Sequence, residues 1–178
     1  SSKDLCLVGR IGAYMEAGVD AFKIEGRMKS VYYTANTTRI YRDAVRTAGT
    51  PEFEQRLPFY REELDLVSHR PYTDDLFNEF GNKCFSGIPY INRAMFLGYR
   101  SGSSPEGMPL IRTFNPVYRG ETVEAIFPIT DTITDRRFTV RDIIDADGVS
   151  VDMARPNSLY TIIFDAEMGD YAILRRRR

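Results

Sequence analysis

Five charged residues near the start of the chain have types and spacing that chemistry could use. Lys3 and Asp4 are an adjacent pair of opposite charge, and Glu25, Arg27 and Lys29 alternate along the run Glu-Gly-Arg-Met-Lys. Cations and a carboxylate so arranged suit an anionic substrate such as a carboxylate or an RNA phosphate, whose oxygens accept charge-assisted hydrogen bonds. The same residues also suit a salt-bridged strand end, with Asp4 capping a turn, and the sequence leaves both readings open. His69 stands between Ser68 and Arg70. A Ser beside a His in sequence is not a catalytic triad, and no GxSxG motif accompanies it. His69 therefore reads as structural. Cys6 and Cys84 lie far apart and form no CxxC motif. Two thiols and one His cannot supply a zinc or iron–sulfur ligand set, so no metal ligands are expected here. Cys84, in Lys-Cys-Phe-Ser, reads as a small packed residue, with a reactive thiol as the alternative.

The elements that must position these residues follow from periodicity. Residues 10–18 predict a short helix stopped by Gly18, and residues 20–25 a short strand broken by Gly26. Ser30 is placed to cap a helix running from Val31 to about Ala48, before Gly49 and Pro51. On that helix Asn36, Arg39, Arg42, Asp43 and Arg46 share an arc expected to face water. Val31, Thr34, Tyr41, Ala44, Val45 and Ala48 share the arc expected to pack. Helix, strand, helix is the order of an α/β layer with a parallel sheet. One strand cannot close such a sheet, so the segment is expected to need partners from a longer protein.

Residues 51–90 read as a connector interrupted by Pro51, Pro58 and Pro71, with a helical turn near 61–67. A further short helix is expected to open at Thr73-Asp74-Asp75 and to end at Gly81. Glycine and proline density over 81–109 argues for loops with one strand near 94–99. Residues 91–178 turn β-rich, with alternation at 122–127, 137–141 and 149–153 and an apolar run at 159–164. Asp145-Ala146-Asp147-Gly148 is placed to form a hairpin turn with Gly148 at positive φ. Gly169-Asp170 turns the chain into a final strand at 171–174. This pattern predicts a small antiparallel barrel or sandwich. Phe138, Tyr160 and Phe164 are spaced for its core; a base-stacking platform would need them exposed. Arg175, Arg176, Arg177 and Arg178 read as a solvated, disordered tail, the alternative being a contact with RNA phosphates.

Composition narrows the class. The chain has 178 residues, 43% hydrophobic and 28% charged, with 24 Lys and Arg against 25 Asp and Glu. That balance is ordinary for a globular protein and gives no bulk electrostatic pull toward nucleic acid. Apolar runs are far too short to span a bilayer, so no membrane partner is expected. Cysteine usage fits a reduced, cytoplasmic setting.

Several stretches together resemble the collagenase-like peptidase family, peptidase family U-thirty-two. They are Ser2-Lys3-Asp4-Leu5-Cys6-Leu7, Ala17-Gly18-Val19-Asp20, and Phe22-Lys23-Ile24-Glu25-Gly26-Arg27-Met28-Lys29-Ser30, the last being the most specific. Tyr33 and Tyr41-Arg42-Asp43-Ala44 fit the helix that follows, and Leu64 to Thr73 fits the segment after the catalytic domain. Phe138-Thr139-Val140, Asp147-Gly148, Ala154-Arg155-Pro156 and Gly169-Asp170 are similar to the family's carboxy-terminal β domain. The resemblance implies an α+β chain: residues 1–50 as the last β/α units of a TIM-like catalytic barrel, 51–90 as connector, and 91–178 as a small β-barrel domain. It puts Lys3, Asp4, Glu25, Arg27 and Lys29 on loops at the substrate-binding end of the barrel. It implies the carboxy-terminal portion of a longer enzyme, inactive alone, whose missing barrel portion is its first partner. The family's activities are proteolysis, including collagen cleavage, and hydroxylation of RNA bases or quinone precursors by members carrying an iron–sulfur cluster on upstream cysteines. The intact protein is thus expected to act on RNA or on a peptide. The rival reading is a non-catalytic β-barrel module that binds RNA or a protein.

Overall fold

The computed structural model describes residues 3–74, 90–130 and 132–178. The chain divides into two compact units, Ser1–Arg93 and Ala94–Arg178.

The first unit is built on two helices. After β1 (Asp4–Leu5) and one 3₁₀ turn, α1 (Ile11–Glu16) ends at Gly18, whose φ of 86° is the expected left-handed stop. Helix α2 spans Val31–Thr47, and its N-terminus is capped by Ser30, whose side chain accepts from the Tyr33 amide. Helix α3 spans Pro51–Leu66. It replaces the expected connector with its single turn, and its prolines explain the difference. Pro51 occupies the first helical turn, where no amide partner is needed. Pro58 lies inside the helix on its exposed side, where water satisfies the carbonyl that its missing N–H releases. Phe53, Tyr60, Leu64 and Leu66 are buried and hold the helix in place.

The face of α2 expected to be wet is divided: Arg42 and Arg46 are exposed as expected, but Asn36 and Asp43 are buried. On the arc expected to pack, Ala44 is buried, whereas Val31 and Thr34 are exposed. The buried polar groups are affordable because α3 supplies partners. Asn36 donates to the Glu63 carbonyl at 2.9 Å, and Arg39 pairs with the Glu63 carboxylate at 2.7 Å. Asp43 accepts from Tyr60 Oη at 2.7 Å and from Arg56 at 2.7 Å. Burial alone would raise the Asp43 carboxyl, but its bonds from Tyr60, Arg56 and Arg46 hold it below the ordinary value.

The strand expected at 20–25 is absent: these residues have no regular structure. A short strand needs neighbours to satisfy its backbone, and the described strands of this unit are only β1 and β2 (Tyr72–Thr73), which pair with each other in parallel. Thr73 thus lies in a strand rather than opening a helix. The remainder of that expected helix, and Cys84, lie outside the described residues.

The second unit is a closed six-stranded antiparallel barrel. Its strands are β3 (Ala94–Ser103), β4 (Pro109–Thr113), β6 (Thr122–Ile126), β7 (Arg136–Ile144), β9 (Leu159–Phe164) and β10 (Ile173–Arg177). Around the barrel they run β10-β3-β4-β9-β7-β6, with β6 pairing back onto β10. A two-stranded ribbon of β5 (Val117–Tyr118) and β8 (Met153–Ala154) accompanies it. Alternation puts Leu97, Ile111, Val123, Phe138, Ile143, Ile162 and Leu174 in the core. Phe138 and Phe164 meet edge to face at 5.7 Å, with Tyr160 packed against the same cluster. These aromatics are therefore core residues rather than a stacking surface. Asp145–Gly148 forms the expected turn, with Gly148 at φ 77°.

Two features of the barrel escape sequence patterning. At Gly98 of β3 a Cβ would sit 2.3 Å from the Arg112 carbonyl oxygen, so only glycine lets β3 and β4 approach. The arginine run is no disordered tail. Arg175, Arg176 and Arg177 belong to β10, the strand that closes the barrel, and Arg175 is only 2% exposed. Their charge is met by Glu124 and Glu121 on and beside β6.

Candidate functional site

Around the parallel β1–β2 pair two of the charged residues singled out in the sequence, Asp4 and Lys29, come together. Asp4 pairs with Tyr72 and Leu5 with Thr73, fixed by backbone bonds from Asp4 to the Pro71 carbonyl and from Cys6 to the Thr73 carbonyl at 3.1 and 2.8 Å. This register points the Asp4 carboxylate at Arg70. The Arg70 guanidinium donates to Oδ1 at 2.7 Å, and the Arg70 amide donates to Oδ2 at 3.1 Å. Lys29 Nζ reaches the same Oδ2 at 3.3 Å and also donates to the Ser68 carbonyl at 2.9 Å. The ammonium lies 5.1 Å from the centre of the Tyr33 ring and 4.7 Å from that of Tyr90. Burial would raise the Asp4 carboxyl, but the Arg70 bonds and the Lys29 charge outweigh it and hold the group below its ordinary value.

Of the five residues read as candidates, the fold brings Asp4 and Lys29 together. Lys3 is half-buried and has a partner of its own. Glu25 pairs with Lys23 at 3.4 Å, both side chains being largely in solvent, and Arg27 is exposed on the loop leading to α2. Asp4 and Lys29 therefore tie that loop to β1 and β2, while Glu25 and Arg27 stand free of the tie. Arg70 is the member of the cluster that sequence reading missed. It lies 66 residues from Asp4, and nothing local marks it as that residue's partner.

Behind the ion cluster is a set of phenols around Cys6. Tyr41 Oη accepts from the Leu7 amide at 3.0 Å and lies 3.7 Å from Cys6 Sγ. Burial pushes the hydroxyls of Tyr33, Tyr41 and Tyr72 above the ordinary phenol value, so they stay protonated and serve as donors. His69 is buried and stacked flat on Tyr72 at 3.9 Å. Its Nδ1 lies 2.6 Å from the Arg70 carbonyl oxygen, and its Nε2 lies 3.3 Å from Asp65 Oδ1 without hydrogen-bond geometry. The ring faces a carbonyl and a carboxylate rather than a hydroxyl or thiol, so it is not placed as the base of a nucleophile. Among the described residues no three or more His, Cys, Asp or Glu side chains gather as metal ligands. Nor is any described helix long and apolar enough to cross a membrane.

These features define a two-unit α+β protein: helices and a charged loop cluster in one unit, a closed antiparallel barrel in the other. Residues 1–84, just under half of the chain, match the model of peptidase family U32. Over 99% of its length it is 29% identical to tRNA hydroxylation protein P of Escherichia coli, and it spans 39% of that relative. Over 47% of its length it is 37% identical to an uncharacterized protease of Methanocaldococcus jannaschii, of which it covers 20%. The C-terminal domain of a Geobacillus thermoleovorans protein described as a U32 peptidase is 25% identical, with a TM-score of 0.38 over 46% of this chain and 99% of that domain. The chain thus spans about two fifths of the Escherichia coli relative's length.

Proposed function

We propose that this chain forms part of a tRNA-hydroxylating protein. The observation that carries the reading is that similarity to tRNA hydroxylation protein P runs through both units, covering 99% of the chain. In this reading residues 1–50 are the last β/α units of a TIM-like barrel, completed by sequence outside this chain. The Lys3–Lys29 region forms one wall of the substrate site at the loop end of that barrel. Asp4 and Lys29 act as positioning residues, since their charges satisfy each other and Arg70. Glu25 and Arg27 face the RNA, and Lys3 flanks them. The antiparallel barrel holds the RNA for the catalytic unit, and the 178-residue chain alone is inactive. An iron–sulfur cluster needs about four thiolates, and the two cysteines here cannot supply them. No step is therefore assigned to a cluster in this chain; in the intact protein its ligands would lie elsewhere. A tRNA substrate and the absence of any paired-cysteine framework both favour a cytoplasmic setting.

The test is complementation. The intact gene is expressed in an Escherichia coli strain lacking its own tRNA hydroxylation protein P, and digested tRNA is analysed by mass spectrometry. Restoration of a nucleoside one oxygen heavier than its parent is the expected result. Collagen cleavage by the purified intact protein, with no change in modified bases, would overturn the reading in favour of proteolysis.

A further inference from the structure

Arg175, Arg176, Arg177 and Arg178 were expected to form a loose basic tail beyond the final strand, but the first three lie in β10, and their position there creates a site. On the barrel surface Glu124 of β6 lies directly opposite Arg137 of β7 and Arg175 of β10 in the strand registers. Arg177 Nε donates to Glu124 at 2.8 Å, Arg175 Nε donates to it at 2.9 Å, and Arg137 Nε stands 3.6 Å away. Next to them Arg176 Nε donates to Glu121 at 3.0 Å. Four guanidiniums are thus set against two carboxylates. Arg176 also donates to the Pro116 carbonyl at 3.1 Å, but that acceptor is neutral, so the cluster keeps an excess of positive charge.

The surface between these residues is concave. Thr122, Val123, Glu124, Arg137, Arg176 and Arg177 line a pocket of about 180 Å³. At its edge the Arg137 side chain is 72% exposed. An excess of fixed, forked cations around a concavity is the arrangement that recognises a phosphate. A second feature adjoins it. The Tyr118 ring, 46% exposed, lies 5.9 Å below the Arg176 guanidinium. An exposed aromatic face beside a phosphate-sized cationic pocket is how proteins hold unpaired nucleotides, with the base stacked and the backbone paired.

We infer that the Arg137–Arg176–Arg177 pocket and Tyr118 together form a binding site for single-stranded RNA, the pocket taking a phosphodiester and Tyr118 stacking the adjacent base. The inference deepens the tRNA reading and rests on it for the identity of the RNA. Glu121 and Glu124 orient the forks and tune the site so that the chain, with a net charge of −1, avoids indiscriminate binding. The site commits to a loop or other unpaired region, because a paired base cannot present its face to a tyrosine.

The experiment measures fluorescence anisotropy of a labelled tRNA anticodon-arm RNA titrated with the 178-residue chain across a range of salt. Wild type is compared with Arg137→Glu, Arg137→Gln and Tyr118→Ala. Arg155→Glu, an exposed change of equal charge elsewhere on the same unit, is the control. Circular dichroism checks that each variant folds. Arg137→Glu and Tyr118→Ala are each expected to weaken binding about tenfold, and Arg137→Gln less. Arg137→Glu should also lower the slope of log affinity against log salt by about one. Arg155→Glu should change affinity less than twofold. Equal weakening by Arg155→Glu would reduce the effect to bulk charge and overturn the site. So would wild-type affinity in both Arg137→Glu and Tyr118→Ala, or no RNA binding at low salt, either of which leaves the pocket to a protein partner. The two readings fail separately: complementation by the intact protein tests hydroxylation, and these titrations test the pocket whatever its outcome.

Discussion

Replacing Glu124 by Gln should destabilise the barrel, by an amount the burial pattern fixes. Glu124 has three guanidiniums within 3.6 Å, those of Arg137, Arg175 and Arg177. Two of these side chains are well exposed, at 72% and 39%, and exposed pairs contribute up to about 1 kcal/mol each. Arg175 is different, being 2% exposed beneath a carboxylate that is itself 14% exposed. Removing one partner of a buried pair costs about 3–5 kcal/mol, because the other charge stays desolvated. Gln keeps one acceptor for Arg175, so the lower end, about 3 kcal/mol, is expected. Arg175→Met leaves Glu124 with Arg177 and Arg137 and should cost about 1 kcal/mol. The double variant should return close to that smaller value, because no buried cation remains, which makes the coupling about 3 kcal/mol. The assay is urea denaturation followed by far-ultraviolet circular dichroism, at pH 7 and again in acid. The Glu124 carboxyl is raised by burial but held lower overall by Arg177 and Arg175, so its folded value is depressed. Its stabilisation is therefore complete above the unfolded value of about 4.3 and is lost as pH falls through the folded value. The gap between wild type and Glu124→Gln should accordingly shrink below about pH 4. A loss under about 0.5 kcal/mol at neutral pH, or strictly additive single effects, would refute the argument.

Other outcomes follow from the same geometry. Gly98→Ala should lower barrel stability by at least about 2 kcal/mol, since the added methyl meets a backbone oxygen that cannot move aside; denaturation midpoints check it. Asp43→Ala should cost the helical unit about 3–5 kcal/mol, because Arg56 and the fully buried Tyr60 lose their shared acceptor; thermal melts of the purified variant measure it. Asp4 has a depressed folded value, so its tie to Arg70 and Lys29 is intact above the unfolded value of about 3.9 and is lost as pH falls through the folded one. The protection factor of the Cys6 amide, whose N–H bonds to Thr73, should fall in acid over that range and stay flat from pH 5 to 7. Asp4→Asn should remove the acid dependence.

What the sequence made legible was what neighbours along the chain decide. The cap at Ser30, the stop at Gly18, the turn at Gly148 and the apolar strand Leu159–Phe164 are all local signals, and each matches the structure. What escaped was decided by distant partners. Asn36 and Asp43 look like a wet face until Glu63, Tyr60 and Arg56 arrive from α3 to pair with them. Two prolines disguised that helix as a connector. Arg175 looks like part of a tail until Glu124 lies beside it in a closed sheet. The candidate site divided in the same way. Asp4 and Lys29 were recognisable as chemistry-bearing residues, but the partner that decides their role, Arg70, lies 66 residues from Asp4.

The closing strand β10 also sets the order of events during synthesis. It bonds to β3 on one side and to β6 on the other, and its residues, Ile173–Arg177, leave the ribosome after the other described strands of the barrel. Until they emerge, two sheet edges stand open in a nascent chain, and open edges recruit other chains. Any product that stops before Ile173 would keep both edges permanently. A nonsense codon or protease cut just ahead of β10 should thus yield aggregates rather than a barrel that lacks one strand. In the cell, the integrity of this arginine-bearing strand decides whether the unit is made at all.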